Sequence, residues 1–242
     1  MNILITNDDG IDAQGISVLA QAAADFGDVT VVAPAEQCSA MSHRITLSRR
    51  MRIEKRGMDI PHVTAYALDG TPADCVKAAL DAILQGKPDV VLSGINHGYN
   101  VGFDVAYSGT VGAAMEAVMS GIPAIALSQN DVGSFDVARQ YLHRILEELL
   151  PTAPSDREIW NVNFPTEHCN GILRYRFRGR LLQRHHVCGG GGWSDARPVP
   201  APAAHRLLHP PRPRGQRPPG SGERLHFHRQ SALPGDVRAP SF

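Results

Sequence analysis

The sequence predicts an α/β fold, a Rossmann-like three-layer sandwich built on a mainly parallel sheet. Three observations carry this. From residue 1 to about 165, short apolar runs alternate with amphipathic stretches of ten or more residues, the pattern of strands joined by crossover helices. Runs such as "NILIT" and "DVVLSGIN" read as strands buried on both faces. The 242 residues are enough for one sizeable core.

The elements follow in order. "NILIT" (2–6) is a strand and residues 13–25 a helix. "VTVVAP" (29–34) is a second strand, stopped by Pro34, and the alternation in "HVTAYALDG" (62–70) gives a third with one partly exposed face. Thr71-Pro72 supplies an N-cap and an N1 proline for a helix to about Gln85. "DVVLSGIN" (89–96) precedes a helix from about Gly109 to Met119, closed by Gly121 and Pro123. "AIALS" (124–128), a helix around 135–150 and "IWNVNF" (159–164) complete the series. In such folds ligands sit at the carboxyl ends of the strands. Asp8-Asp9, Ser39 and Asn96 all fall there.

After about residue 170 the periodicity stops. Residues 189–192 are four glycines, and 198–219 is dominated by Pro, Arg, Ala and His. No window there reads as a helix or a buried strand, so residues 1–168 are expected to form the α/β domain and 169–242 an irregular or disordered tail. Charge divides at the same place. Residues 1–168 carry 11 Lys+Arg against 21 Asp+Glu, and residues 169–242 carry 13 against 3. The abrupt change resembles a GC-rich gene translated in a shifted frame.

The composition narrows the function. No 18-residue apolar run marks a membrane span, and acids at 8 and 9 come too soon for a signal peptide. Cys38, Cys75, Cys169 and Cys188 form no CxxC pair, which fits a reducing cytoplasm better than a disulfide framework or zinc knuckle. G-x-S-x-G, G-x-x-x-x-G-K-[ST] and a post-strand G-x-G-x-x-G are all missing.

Three stretches carry chemistry. "ITNDDGID" (5–12) sets Asp8 beside Asp9. Adjacent carboxylates repel unless a cation or a shared proton neutralises them. They read either as a helix-start signal with Gly10 in the turn, or as hard oxygen ligands for Mg²⁺ or Mn²⁺. In residues 92–121, Ser108-Gly109-Thr110 opens a helix with free N–H groups and two hydroxyls. That is an anion site suited to phosphate, or an ordinary Ser/Thr cap. Gly112, Ala113 and Ala114 would let this helix press on the sheet, and His97 is either a catalytic assistant or a bystander. In "APAEQCSAMSHRITL" (33–47), Ser39, Ser42 and His43 follow a strand end.

Taken together, "ILITNDDGIDAQGI", the Ser39 loop, "DGTPADCV", "SGINHGYNVGFDVAYSGTVGAAMEA" and "NVNFP" resemble the SurE family of survival-protein nucleotidases, over about residues 1–165. The resemblance implies a phosphomonoesterase that hydrolyses nucleoside 5′- and 3′-monophosphates. It implies one divalent cation per subunit, Mg²⁺ or Mn²⁺, held by Asp8, Asp9, Ser39 and Asn96. Asp8 and Asp9 are the expected catalytic pair, with one of them activating water or Asp8 attacking directly. Ser108, Gly109 and Thr110 match the family's phosphate-binding helix start. At one point the chain departs from the pattern: Ala40 stands where the family's loop commonly has glycine.

A homo-oligomer, dimer or tetramer, is also implied if the tail permits. Family chains normally continue past "NVNFP" with further strands and an arm exchanged between subunits, a pattern the tail does not show. A metal- and nucleotide-binding module that no longer turns over is therefore the alternative. Specific nucleic-acid binding by the tail is not expected. Tyr175, Trp193 and Phe227 are scattered, and prolines break any helix.

Overall fold

The computed structural model describes residues 1–152 and 158–165, and the backbone of two later strands. In chain order the elements are β1 (Asn2–Thr6), α1 (Gln14–Ala23), β2 (Asp28–Pro34), β3 (Ile53–Arg56), β4 (Val63–Leu68), α2 (Pro72–Ala78), β5 (Val90–His97), α3 (Gly109–Met119), β6 (Ala124–Gln129), α4 (Asp136–Leu149), β7 (Ile159–Phe164), β8 (Ile172–Arg176) and β9 (Gln183–Cys188). Side chains alternate across a strand, and the core follows that period. Ile3 and Ile5 of β1 enter one cluster with Ile16 and Leu19 of α1 and Leu142 and Ile145 of α4. Leu4 enters the other, with Cys75 and Val76 of α2 and Val111 and Ala114 of α3. The result is three layers: α1 and α4 on one face, the sheet, and α2 and α3 on the other.

The sheet order is β3-β4-β2-β1-β5-β6-β7-β9-β8. Pairing is parallel from β4 through β9, with β3 and β8 antiparallel at the two edges. The mainly parallel sandwich is therefore as the sequence predicts. Asn96, Ser128 and Asn163 fall on one row across β5, β6 and β7, at the carboxyl edge that also carries the residues after β1. Between Ser93 and Asn96 the β5–β6 register shifts in a bulge, which re-aims the end of β5. Gly94 makes this possible: its φ is +143°, and a Cβ there would stand 2.2 Å from Leu127 O.

The structure corrects several expectations. β8 and β9 lie beyond residue 170, where no strand was expected. Their sequences, "ILRYR" and "QRHHVC", lack an apolar run, and what makes them strands is the backbone ladder from β7 through β9 to β8. The expectations for the rest of 169–242, disorder and a shifted frame included, fall outside the described residues. β3 also went unseen, because an edge strand of "IEKR" has no alternating apolar signal. The helix expected to reach Gln85 ends at Ala78 and continues as a π-helical turn over Ala79–Ile83. A 3₁₀ turn, Gly102–Ala106, sits in the loop before Ser108.

Thr71 caps α2 as predicted, in a reciprocal box. Asp74 N–H donates to Thr71 Oγ1 at 3.2 Å, and Asp74 Oδ2 accepts Thr71 N–H at 2.9 Å. The same carboxylate accepts Thr46 N–H at 2.8 Å and Thr46 Oγ1–H at 2.7 Å, fastening the loop that follows Ser39. Burial pushes the Asp74 carboxyl upward, but the bonds from Thr46 and Thr71 outweigh it and hold it below the usual range. Asp74→Ala strands these donors. We expect a loss of about 3 kcal/mol, read from the midpoint of urea unfolding.

Candidate active site

The turn after β1 is built by Asn7. Its Oδ1 accepts Gly10 N–H at 3.1 Å and its Nδ2 donates to Gly10 O at 2.9 Å. This fully buried side chain closes a loop on itself, a local bond typical of Asn in turns, and presents Asp8 and Asp9 at its tip. Asp8 is only 4 % exposed. Thr110 Oγ1–H donates to its Oδ1 at 2.5 Å, and Thr110 N–H to its Oδ2 at 3.2 Å. Asp9 is half-buried. Its Oδ2 accepts His97 N–H at 2.9 Å, and its Oδ1 lies 3.5 Å from Gln37 Nε2.

The other two expected ligands reach this pair differently. Asn96 Nδ2 donates to Gly98 O at 2.7 Å. That fixes the amide and leaves Oδ1 with no partner among the described residues. Ser39 is exposed, and its Oγ accepts from Gln37 Nε2 at 2.9 Å. Gln37, which sequence reasoning passed over, thus links Ser39 to Asp9. The His97 ring stands against Phe135 with centroids 6.2 Å apart, and its main-chain N–H makes the bond to Asp9. Ala40 has φ +56°, in the left-handed region where glycine is at ease and alanine is not.

The Ser39 loop is fastened to α3 and to the turn before it. Ser42 N–H donates to Tyr107 O at 2.9 Å, Ser42 Oγ–H to Ala106 O at 2.8 Å, and His43 Nε2 lies 2.7 Å from Glu116 Oε2. Gly112 faces this loop, where a Cβ would come within 2.5 Å of Ser42 O. The expectation that it presses on the sheet is corrected: Ala113 and Ala114 do that.

At the start of α3, Ser108 is the N-cap and its Oγ accepts Val111 N–H at 3.1 Å. Gly112 N–H goes to Ser108 O. Both Thr110 donors go to Asp8, whereas the sequence pointed them at a phosphate. Among the described residues this leaves the Gly109 N–H and the Ser108 hydroxyl proton without a protein acceptor. Gly109 admits Asp8 to the helix end, because a Cβ there would stand 2.9 Å from Asp8 Cβ.

Burial, reinforced by the charge of Asp9 and opposed by Thr110, raises Asp8 to about 6. Burial also raises Asp9, against the pull of the His97 N–H. No ion pair among the described residues involves either acid. Nor do three His, Cys, Asp or Glu side chains converge there. The donor set is therefore two carboxylates plus neutral oxygens, lacking a cationic partner. It fits a hard divalent cation.

Because Asp8 has a higher pKa folded than unfolded, the native state binds more protons between about pH 4 and pH 6. Stability of the cation-free protein then falls as pH rises through that window, by on the order of 3 kcal/mol from Asp8. We expect a higher melting midpoint near about pH 5 than near pH 7, and a flatter profile in Asp8→Asn. Relief of the left-handed Ala40 by Ala40→Gly is expected to add about 1 kcal/mol to urea stability.

Known proteins resemble this chain in sequence and in fold. The sequence model described as "Survival protein SurE" matches residues 3–185, which carries the likeness past "NVNFP", through β8 and into β9. A 5′-nucleotidase SurE of Caldanaerobacter subterraneus is 42 % identical over 176 residues, 71 % of this chain and 69 % of that protein. One from Picosynechococcus is 51 % identical over 158 residues, 64 % and 57 % of the two chains. One from Nostoc is 47 % identical over 189 residues, 76 % and 71 %. The chain thus matches roughly 57–71 % of the length of these relatives. The crystal structure of the SurE protein from Aquifex aeolicus superposes with a TM-score of 0.62 at 31 % identity, over 77 % of this chain and 81 % of that one. With the family pattern running from β1 into β9 on the matching fold, the chain belongs to the SurE family.

Proposed function

We propose that the chain is a 5′-nucleotidase of the SurE type, hydrolysing nucleoside 5′-monophosphates, and 3′-monophosphates as well, to nucleoside and phosphate. One observation carries this reading. Of two adjacent carboxylates with no ion-pair partner among the described residues, Asp8 is clamped against a helix start that still offers an N–H and a hydroxyl, and Asp9 is held beside it by the His97 N–H. Asp8, Asp9, Asn96 and Ser39 would hold one divalent cation, Mg²⁺ or Mn²⁺. When bound, the cation supplies Lewis-acid stabilisation of charge on a phosphoryl oxygen.

The residues of the chain do the rest. Gly109 N–H and Ser108 Oγ–H orient the phosphoryl oxygens at the positive end of α3. Thr110 acts on the site through Asp8, whose two oxygens it fixes. The His97 N–H holds Asp9 Oδ2, and Asp9 Oδ1, with only Gln37 at 3.5 Å, is the carboxylate oxygen available to take a proton from the attacking water. Water oxygen bonds to phosphorus, the ester P–O bond breaks, and the departing nucleoside oxygen takes up a proton from solvent, to which Asp9 returns the one it took from the water. These donors address only the phosphoryl group, which supports hydrolysis at both the 5′ and 3′ positions.

Further copies of the chain, as a dimer or tetramer, are its expected partners. Among the described residues no helix is long and apolar enough to cross a membrane, and Cys38 and Cys75 are free thiols, in keeping with a cytoplasmic setting.

The test is phosphate release from a panel of 5′- and 3′-mononucleotides with Mn²⁺, Mg²⁺ or EDTA. We expect release that depends on the cation and disappears in Asp9→Asn. Nucleotide binding without release by the folded protein overturns the reading in favour of a binding module. Thr110→Val keeps the shape of the side chain but removes the hydroxyl from Asp8. Its kcat should fall about 10- to 100-fold, with little change in KM.

A further inference from the structure

"NVNFP" puts two asparagines into a strand that is otherwise apolar, and both are buried: Asn161 is 0 % exposed and Asn163 is 1 %. A strand inside a parallel sheet is served as well by valine or leucine there, and a buried amide is unfavourable unless its hydrogen bonds are made. Here they are made, and they converge on one residue of another loop. Asn163 Oδ1 accepts Asn100 N–H at 2.9 Å. Asn161 Nδ2 donates to Asn100 O at 2.8 Å, and Asn163 Nδ2 to the same oxygen at 3.4 Å. Asn100 Nδ2 donates to Ser128 Oγ at 2.8 Å. Both backbone groups and the side chain of Asn100, itself 4 % exposed, are thereby fixed from β6 and β7.

Asn100 ends a short loop with a single task at its other end. That loop begins with Asn96, which shares a sheet row with Ser128 and Asn163, and His97, whose N–H reaches Asp9. Between them Gly98 N–H donates to Gln129 O at 2.9 Å, and Gly98 O receives Asn96 Nδ2. Past Asn100 the chain turns through Gly102–Ala106 into Ser108. Asn100 is therefore the fixed point between the arm carrying Asn96 and the arm carrying the start of α3.

We infer that Asn163, with Asn161 and Ser128, is a positioning residue: through Asn100 it sets Asn96 and the His97 N–H against Asp9, and so sets the cation affinity of the site. The inference rests on the nucleotidase reading only in assuming a cation held by Asp8, Asp9 and Asn96.

The experiment is direct titration of the full chain with Mn²⁺, followed by electron paramagnetic resonance or calorimetry, alongside phosphate release. Asn163→Ala should weaken Mn²⁺ binding about 10- to 100-fold, with phosphate release recovering as Mn²⁺ is raised. A general loosening of the fold does not predict the second half of the test. In an Asn96→Ala background the same Asn163→Ala change should shift Mn²⁺ affinity several-fold less than in wild type, because of its two routes to the cation only the His97 N–H on Asp9 is left. Equal losses in both backgrounds, or a folded Asn163→Ala that binds Mn²⁺ as wild type does, overturn the inference. If Asn163→Ala does not fold, Ser128→Ala, which removes only the acceptor of Asn100 Nδ2, takes its place. It should weaken Mn²⁺ binding in the same Asn96-dependent way, and wild-type affinity there is equally fatal. Failure of the nucleotidase reading is seen separately, as wild-type protein that binds Mn²⁺ without releasing phosphate.

Discussion

Two carboxylates one residue apart, with burial around both, set the terms for the rest of this molecule. Like charges about 4–5 Å apart repel by roughly 3–4 kcal/mol at the effective dielectric of a protein site. Among the described residues no lysine or arginine pairs with them. The chain answers with oriented dipoles: the amide and hydroxyl of Thr110 at the start of α3, and the His97 N–H at the end of β5. Dipoles hold a carboxylate in place without cancelling its charge. The two carboxylates keep their charge while their geometry is already fixed.

That solution forces distant parts of the chain together. Thr110 lies 102 positions from Asp8, and His97 lies 88 from Asp9. The Ser39 loop is drawn in by separate fastenings: Thr46 to Asp74, Ser42 to the turn before α3, and His43 to Glu116, which is also 3.6 Å from Lys77. Each bond joins the carboxyl edge of the sheet to an element packed on its α2–α3 face. A site assembled this way inherits the rigidity of the sandwich, which is what electrostatic catalysis needs, since preorganised donors require no rearrangement as charge develops.

Much of this was legible in the residues. The buried strands followed from their apolar runs, and Thr71-Pro72 from cap chemistry. The placing of Asp8, Asp9, Ser39 and Asn96 at strand ends followed from the strand–helix alternation. Ser108 as N-cap of α3 was visible as well, because a cap bond is local. Edge strand β3 was invisible because four mostly exposed residues carry no period. β8 and β9 were invisible because their pairing comes from β7 and not from their own composition. Two asparagines on the same side of an apolar strand were on view in "NVNFP", yet nothing within that strand names Asn100 as their partner.

The sequence by itself determined period, caps and the kinds of donor present: which segments are strands, where α2 and α3 begin, and that two acids, a serine and an asparagine follow strand ends at residues 8, 9, 39 and 96. Only the tertiary structure decided who bonds to whom. Thr110 offers the same two donors to a phosphate or to a carboxylate, and its own neighbours in sequence do not distinguish the two. The choice falls to Asp8 because Gly109 lacks a Cβ, which lets the end of β1 approach the first turn of α3 closely enough. A hydrogen bond is made over less than about 3.5 Å, and a separation of that kind belongs to the packed fold.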